Sequence, residues 1–87
     1  MFFAIDASQT AGVIPIDMVE MNIDAVCFTG HKSMFGPTGI GGICVADHAE
    51  VKSTRWGGTG VKSALRNHLL EYPYNLEAGT LNTMGIA

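Results

Sequence analysis

The sequence is poor in charge. Only 15% of its 87 residues are Asp, Glu, Lys or Arg, while 47% are hydrophobic. A chain of this length buries only about 60–65% of its unfolded surface and needs polar residues to cover what stays outside. This composition therefore predicts a chain that meets other protein on several sides. Basic residues are the scarcer charge, five against eight acidic, for a net charge of −3. That excludes the basic stripe a nucleic-acid surface requires.

Cysteine is scarce too. Cys27 and Cys44 sit inside the apolar runs AVCF and GICVA, which reads as small buried core residues rather than a disulfide framework. Two cysteines make no metal centre alone, and His31, His48 and His68 have no ligand spacing among themselves or with the cysteines, so no metal is expected. His48 and His68 read as surface residues. No Ser-His-Asp arrangement emerges. No apolar stretch has the length of a membrane span, and no basic segment leads into an apolar core and cleavage site. The expectation is a soluble, reducing, cytoplasmic setting, with no membrane or nucleic-acid partner. Both ends, MFFAI and NTMGIA, read as cuts through structure rather than domain borders.

What is abundant is apolar runs that end in small polar residues. Residues 1–5 (MFFAI) stop at Asp6, as a short strand buried on both faces of a parallel sheet would. The stretch from Asp6 to Gly12 reads as a loop with one helical turn. Asp17 is placed to cap a short helix over Met18–Met21, with Asn22 as its end. Ile23–Phe28 is the second strand and Ile40–Ala46 the third. A short helix is predicted between Asp47 and Arg55, a turn of helix near Ala64–Leu70, and a helix opened by Thr83. Strands ending in polar loops, separated by short helical pieces, predict an α/β fold. In such sheets chemistry collects at the carboxyl ends of strands.

Asp6 and the pair His31-Lys32 lie at two such ends. A lysine held out of water loses basicity and becomes a nucleophile toward carbonyls; the plain alternative is a surface lysine past a strand. Asp6 is either a loop acid or helix cap, or a carboxylate that keeps a pyridinium nitrogen protonated. The glycine loops fit nucleotide motifs badly. GPTGIGG at 36–42 precedes a strand instead of following one, and in GGTGVKS at 57–63 Val61 separates Gly60 from Lys62, breaking the phosphate-loop signature.

Five motifs in order, DASQTAG at 6–12, FTGHK at 28–32, GPTGIG at 36–41, WGGTG at 56–60 and EAGTLN at 77–82, resemble the cofactor-binding segment of the cysteine desulfurase and selenocysteine lyase group of class V aminotransferases. The resemblance covers essentially the whole chain. It implies part of the sheet-containing large domain of a fold-type I enzyme that uses pyridoxal 5′-phosphate (PLP). It implies that Lys32 holds the cofactor as a Schiff base and moves the substrate's α-proton, and that Asp6 faces the pyridine nitrogen. Gln9 would hydrogen-bond the phenolic oxygen of PLP or the Schiff base. Thr29 and His31 would bind the phosphate. Thr80 would reach the phosphate held mainly by the other subunit of a homodimer, with Gly57 and Gly58 lining that region. Gly30 and Gly36 would let the backbone pass close to the cofactor.

The same resemblance implies absences. An N-terminal half with a phosphate loop and a ring-stacking residue is not present, nor is a C-terminal small domain with a carboxylate-binding arginine and a sulfur-accepting cysteine. Cys27 and Cys44 match neither role. The expected function is therefore a fragment, residues 1–87, of an enzyme that takes sulfur from L-cysteine to give alanine and a persulfide, passing it to a possible sulfur-acceptor protein. The isolated chain is expected to be inactive. Another class V aminotransferase, a β-eliminating lyase, or a non-catalytic assembly module remain as alternatives.

Overall fold

The parallel pairing of two short strands sets the architecture. In the computed structural model, which describes residues 1–62, 64, 65 and 67–87, β1 (Ala4–Asp6), β2 (Ala25–Thr29) and β3 (Gly41–Val45) form one sheet in that order. β1 runs parallel to β2 and β3 antiparallel to it, so the sheet is mixed. The polypeptide forms two compact units, Met1–Glu50 with Thr83–Ala87, and Val51–Asn82.

In the first unit, a parallel pair needs a crossover of a dozen or more residues, and residues 7–24 supply it. Asp17 behaves as the expected cap: its Oδ1 accepts from Val19 N–H and Glu20 N–H, each at 2.9 Å. The resulting turn closes at Asn22, which adopts φ +52°. Ile23 N–H then reaches Met18 C=O at 2.9 Å and Asn22 N–H reaches Val19 C=O at 3.3 Å. This is the double bond of a Schellman ending, built over turns too short to count as a helix.

Side chains alternate across the sheet. Ile5 and Val26 are register partners on one face. There Ala7, Ile23 and Val26 form the buried cluster, flanked by Ala11, Ile16 and Met18 of the crossover. On β3 the same face carries Gly42, whose missing side chain makes room for the Phe28 ring; a Cβ there would lie 2.6 Å from Phe28 Cζ.

Three expectations fail, each for a nonlocal reason. The first apolar run is not buried on both faces: Phe2 and Phe3 are 53% and 47% exposed, because β1 pairs with β2 alone. Its strand starts only at Ala4, after Asp24 has taken Phe3 N–H on Oδ2 at 2.7 Å. Cys27 and Cys44 are exposed free thiols rather than core residues. Cys27 pairs in register with Ile43, itself exposed, on the face opposite the crossover. The predicted helix from Asp47 to Arg55 is absent. His48 is drawn to Asp24 Oδ1 at 2.8 Å, and the Tyr72 hydroxyl occupies both Val51 N–H, at 2.9 Å, and Val51 C=O, at 2.6 Å, groups that a helix would need.

Residues Val51–Asn82 form the second unit, irregular apart from the 3₁₀ turn Tyr74–Leu76. Of the stretch Ala64–Leu70, Arg66 lies outside the described residues, as does Ser63 beside it; the others form a turn and a bend without helix. Helix α1 (Thr83–Ile86) starts at Thr83 as expected and belongs to the first unit. No helix among the described residues is long and apolar enough to cross a membrane.

Candidate functional site

Because β1 and β2 are parallel, their carboxyl ends lie side by side, and the loops that follow are stitched together. Asp6 is the register partner of Cys27, and Ala7 N–H donates to Cys27 C=O at 2.8 Å. The Thr29 hydroxyl donates to Ser8 C=O at 3.5 Å and the Ser33 hydroxyl to Gln9 C=O at 3.4 Å. Gly12, at φ +86°, fits against the same loop: a Cβ would stand 3.0 Å from Ser33 O. Asp6 and Thr29, the last residues of β1 and β2, and Gln9 and Lys32, in the loops that follow them, thus belong to two segments in direct contact.

The lysine loop is closed at its base. Gly36 N–H donates to Gly30 C=O at 2.7 Å and Gly30 N–H to Ile40 C=O at 2.9 Å. A Cβ on Gly30 would fall 2.4 Å from Ile40 Cγ1, and one on Gly36 would fall 3.0 Å from Gly30 O. In this structure these glycines let backbone approach backbone, leaving residues 31–35 as a short excursion. Lys32 on it is half-buried, while His31 is exposed. Lys32 C=O accepts Phe35 N–H at 2.9 Å, and Phe35 holds φ +58° with its side chain almost fully in solvent, a backbone conformation costly for a bulky residue.

Asp6 is held by Ser8. Oδ1 accepts the Ser8 hydroxyl at 2.5 Å and Ser8 N–H at 2.9 Å. The hydroxyl first and the backbone N–H second hold the carboxyl below its ordinary range, against a smaller opposing effect of burial, and the positive charge of Lys32 adds the smallest contribution in the same lowering direction. Hydrogen bonds to the charged form always act in this direction. A depressed carboxyl contributes stability above its ordinary range and loses it as pH falls through the lowered value. Ser8→Ala keeps the backbone donor but loses the hydroxyl, so the Asp6 carboxyl is expected to titrate at higher pH, with Ser8→Thr restoring the low value. The carboxyl ¹³C shift followed against pH measures this; an unchanged titration in Ser8→Ala would show that the hydroxyl is not what holds the charge.

Thr80 belongs to the second unit and is exposed. Gly79 N–H donates to Gly58 C=O at 2.6 Å, and a Cβ on Gly60 would lie 2.9 Å from Thr80 Oγ1. The EAGT and GGTG motifs are therefore one structural knot. His68, read from sequence as a surface residue, is half-buried in it. Its Nδ1 lies 3.0 Å from Gly57 O and its Nε2 3.1 Å from Asn75 O. Nothing local to His68 signals this, since its partners stand 11 and 7 residues away. A cavity of about 320 Å³ lined in part by Trp56, Lys62 and His68 opens beside it. Among the described residues no cluster of His, Cys, Asp and Glu suits a metal ion.

Comparison with known proteins points one way. The sequence profile of the aminotransferase class-V family matches residues 1–87. A probable cysteine desulfurase of Pasteurella multocida (strain Pm70) is 35% identical over 86 residues, covering 94% of this chain and 20% of that protein. Cysteine desulfurase IscS of Rickettsia akari (strain Hartford) is 40% identical over 74 residues, 84% of this chain and 18% of that protein. Among solved structures, the apo cysteine desulfurase of Thermococcus onnurineus NA1 superposes over 97% of this chain and 22% of that one, with a TM-score of 0.68 and 28% identity. The chain thus spans about a fifth of the length of these relatives.

Proposed function

The chain belongs to the aminotransferase class-V family, and from that premise we propose that it is the lysine-bearing part of the large domain of a PLP enzyme that removes sulfur from L-cysteine, leaving alanine and a persulfide. The observation that carries the proposal is that the segments following the parallel strands β1 and β2 are joined at their carboxyl ends, Thr29 to Ser8 and Ser33 to Gln9, which puts the Asp6 and Lys32 segments side by side.

The donor set fits the cofactor. A ring nitrogen that must stay protonated calls for a carboxylate that stays ionised, and Ser8 keeps Asp6 ionised through Oδ1. A phosphate calls for converging donors without bulk; Thr29 ends β2 with a hydroxyl and His31 brings an imidazole two residues later. The Thr29 proton goes to Ser8 C=O at 3.5 Å, the long limit of such a bond, so redirecting it costs little. When bound, PLP supplies an electron sink for the charge left when a substrate proton departs.

Each residue then has a task set by its own chemistry. Lys32 would be the residue that holds the cofactor, and its amine would move the proton at the substrate's α-carbon. Asp6 would keep the ring proton in place, and the Gln9 amide would hydrogen-bond the phenolic oxygen or the Schiff base. Thr80 serves the phosphate of the partner subunit in a homodimer. An acceptor protein would receive the sulfur, at a cysteine supplied outside these 87 residues, since Cys27 and Cys44 lie within strands.

The experiment is to supply L-cysteine and PLP to the longest natural protein that contains residues 1–87 and to measure sulfide, alanine and keto-acid. Equal sulfide and alanine are expected with a reductant present. Keto-acid without sulfide would replace desulfuration with transamination, and pyruvate with sulfide would replace it with β-elimination.

A further inference from the structure

We propose that His68 is a positioning residue that, as an imidazolium, clamps the glycine loop at 57–60 to the Tyr74–Leu76 turn and through it holds the loop that carries Thr80. The argument starts from hydrogen-bond arithmetic. Nδ1 faces Gly57 O at 3.0 Å and Nε2 faces Asn75 O at 3.1 Å. Both neighbours are acceptors, and a neutral imidazole has one N–H whereas the cation has two. Only the protonated ring satisfies both contacts at once.

The surroundings reinforce the point. The Asn75 carbonyl also accepts the Ser53 hydroxyl, so it is an acceptor toward both neighbours, and Asn75 Oδ1 is buried with no donor among the described residues. The neutral ring has a poorer option, accepting from Gly57 N–H at 3.4 Å while still donating to Asn75 O. Deprotonation therefore exchanges the Gly57 carbonyl for the Gly57 amide and pulls the loop by a different handle. The ring is held above its ordinary range by Gly57 first and Asn75 second, against a smaller effect of burial. Lys62 lines the adjoining cavity, and Glu71 and Glu77 flank the turn, yet among the described residues no charged side chain contributes to the shift.

The clamp reaches Thr80 by two short steps. Gly57 is joined to Gly58, whose carbonyl takes Gly79 N–H at 2.6 Å, and Gly79 precedes Thr80. For a group whose folded pKa is raised, the stabilising contact is complete below the unfolded value and is lost as pH rises through the folded one. The Thr80 loop is thus firm in mildly acid solution and loosened above the titration of His68.

The inference leans on the proposed role of Thr80 for its functional meaning, but its test does not. In the full chain, the ring proton of His68 is titrated by NMR and the exchange protection of the Gly79 amide is followed over the same range, corrected for intrinsic rates. Protection is expected to fall by about fivefold, the worth of one hydrogen bond, with the midpoint of His68. His68→Gln, which keeps a side-chain donor but does not titrate, is expected to give pH-independent protection. The same pH response in His68→Gln, or a His68 ring that titrates at or below the ordinary value, overturns the clamp. PLP uptake, measured separately by absorbance, is expected to weaken across the same titration in the natural protein only. A protein that keeps the clamp and never takes up PLP supports the clamp and overturns the enzyme reading alone.

Discussion

Replacing Lys32 by alanine is expected to abolish the absorbance of the lysine–aldehyde linkage and to cut sulfide release by at least about 10²–10⁴-fold, the range a positioned acid–base group contributes. The side chain combines two properties that a second substitution separates. Its amine condenses with carbonyls once deprotonated, and its positive charge helps hold Asp6 ionised. Lys32→Arg keeps the charge and discards the nucleophile, because a guanidinium does not lose its proton in proteins. Loss of the band in both variants, with the Asp6 titration moved only in Lys32→Ala, assigns the linkage to the amine and the electrostatics to the charge. Because Lys32 is half-buried on an excursion closed at its base by Gly30 and Gly36, neither change should unfold the chain, and circular dichroism checks this. A Lys32→Ala protein that kept both band and turnover would remove Lys32 from the chemistry.

Local chemistry made much of this architecture readable. Asp17 announces a cap because a carboxylate before apolar residues meets free N–H groups, and Asn22 announces a stop because it tolerates the left-handed conformation it adopts at φ +52°. The run IDAVCF marks β2, offset by two residues at its start, where Asp24 is diverted to Phe3 and His48. That Asp6 and Lys32 each stand at the end of an apolar run was readable, and the parallel pairing of β1 with β2 then sets those ends side by side.

What could not be read depends on partners distant in sequence. Tyr72 overrides the helical pattern at 47–55 through Val51, 21 residues away. The exposure of Cys27 follows from which face the crossover covers, which an apolar run does not encode. His68 looks like any surface histidine until folding sets the Gly57 and Asn75 carbonyls against its two nitrogens. Ser8 was read only as part of a motif, although its two donors on one oxygen make it the partner that tunes Asp6.

Gly30→Ala is expected to be among the most damaging single-methyl additions in the chain, because the added carbon would fall 2.4 Å from Ile40 Cγ1 and 2.7 Å from Ile40 Cδ1. Overpacking of this kind costs about 1–3 kcal/mol, a large share of what so small a core provides. Both clashing atoms belong to one side chain, so Ile40→Ala removes the conflict. In a double-mutant cycle the pair should be less destabilised than the sum of the single changes by roughly 1 kcal/mol or more. Ile40→Val should give only partial relief, because it removes Cδ1 but keeps a carbon at the γ position. Gly36→Ala should couple less: its Cβ would meet Ile40 Cδ1 at 3.1 Å, which Ile40→Ala removes, but its nearest obstacle is the backbone oxygen of Gly30 at 3.0 Å, which no change at Ile40 removes. Denaturant midpoints of the four proteins in each cycle decide the matter, and equal coupling at Gly30 and Gly36, or none at Gly30, would show that the loop base yields where the geometry says it cannot. Since the Gly30–Gly36 bond closes the excursion that carries Lys32, PLP uptake should fall in Gly30→Ala and return in the double variant.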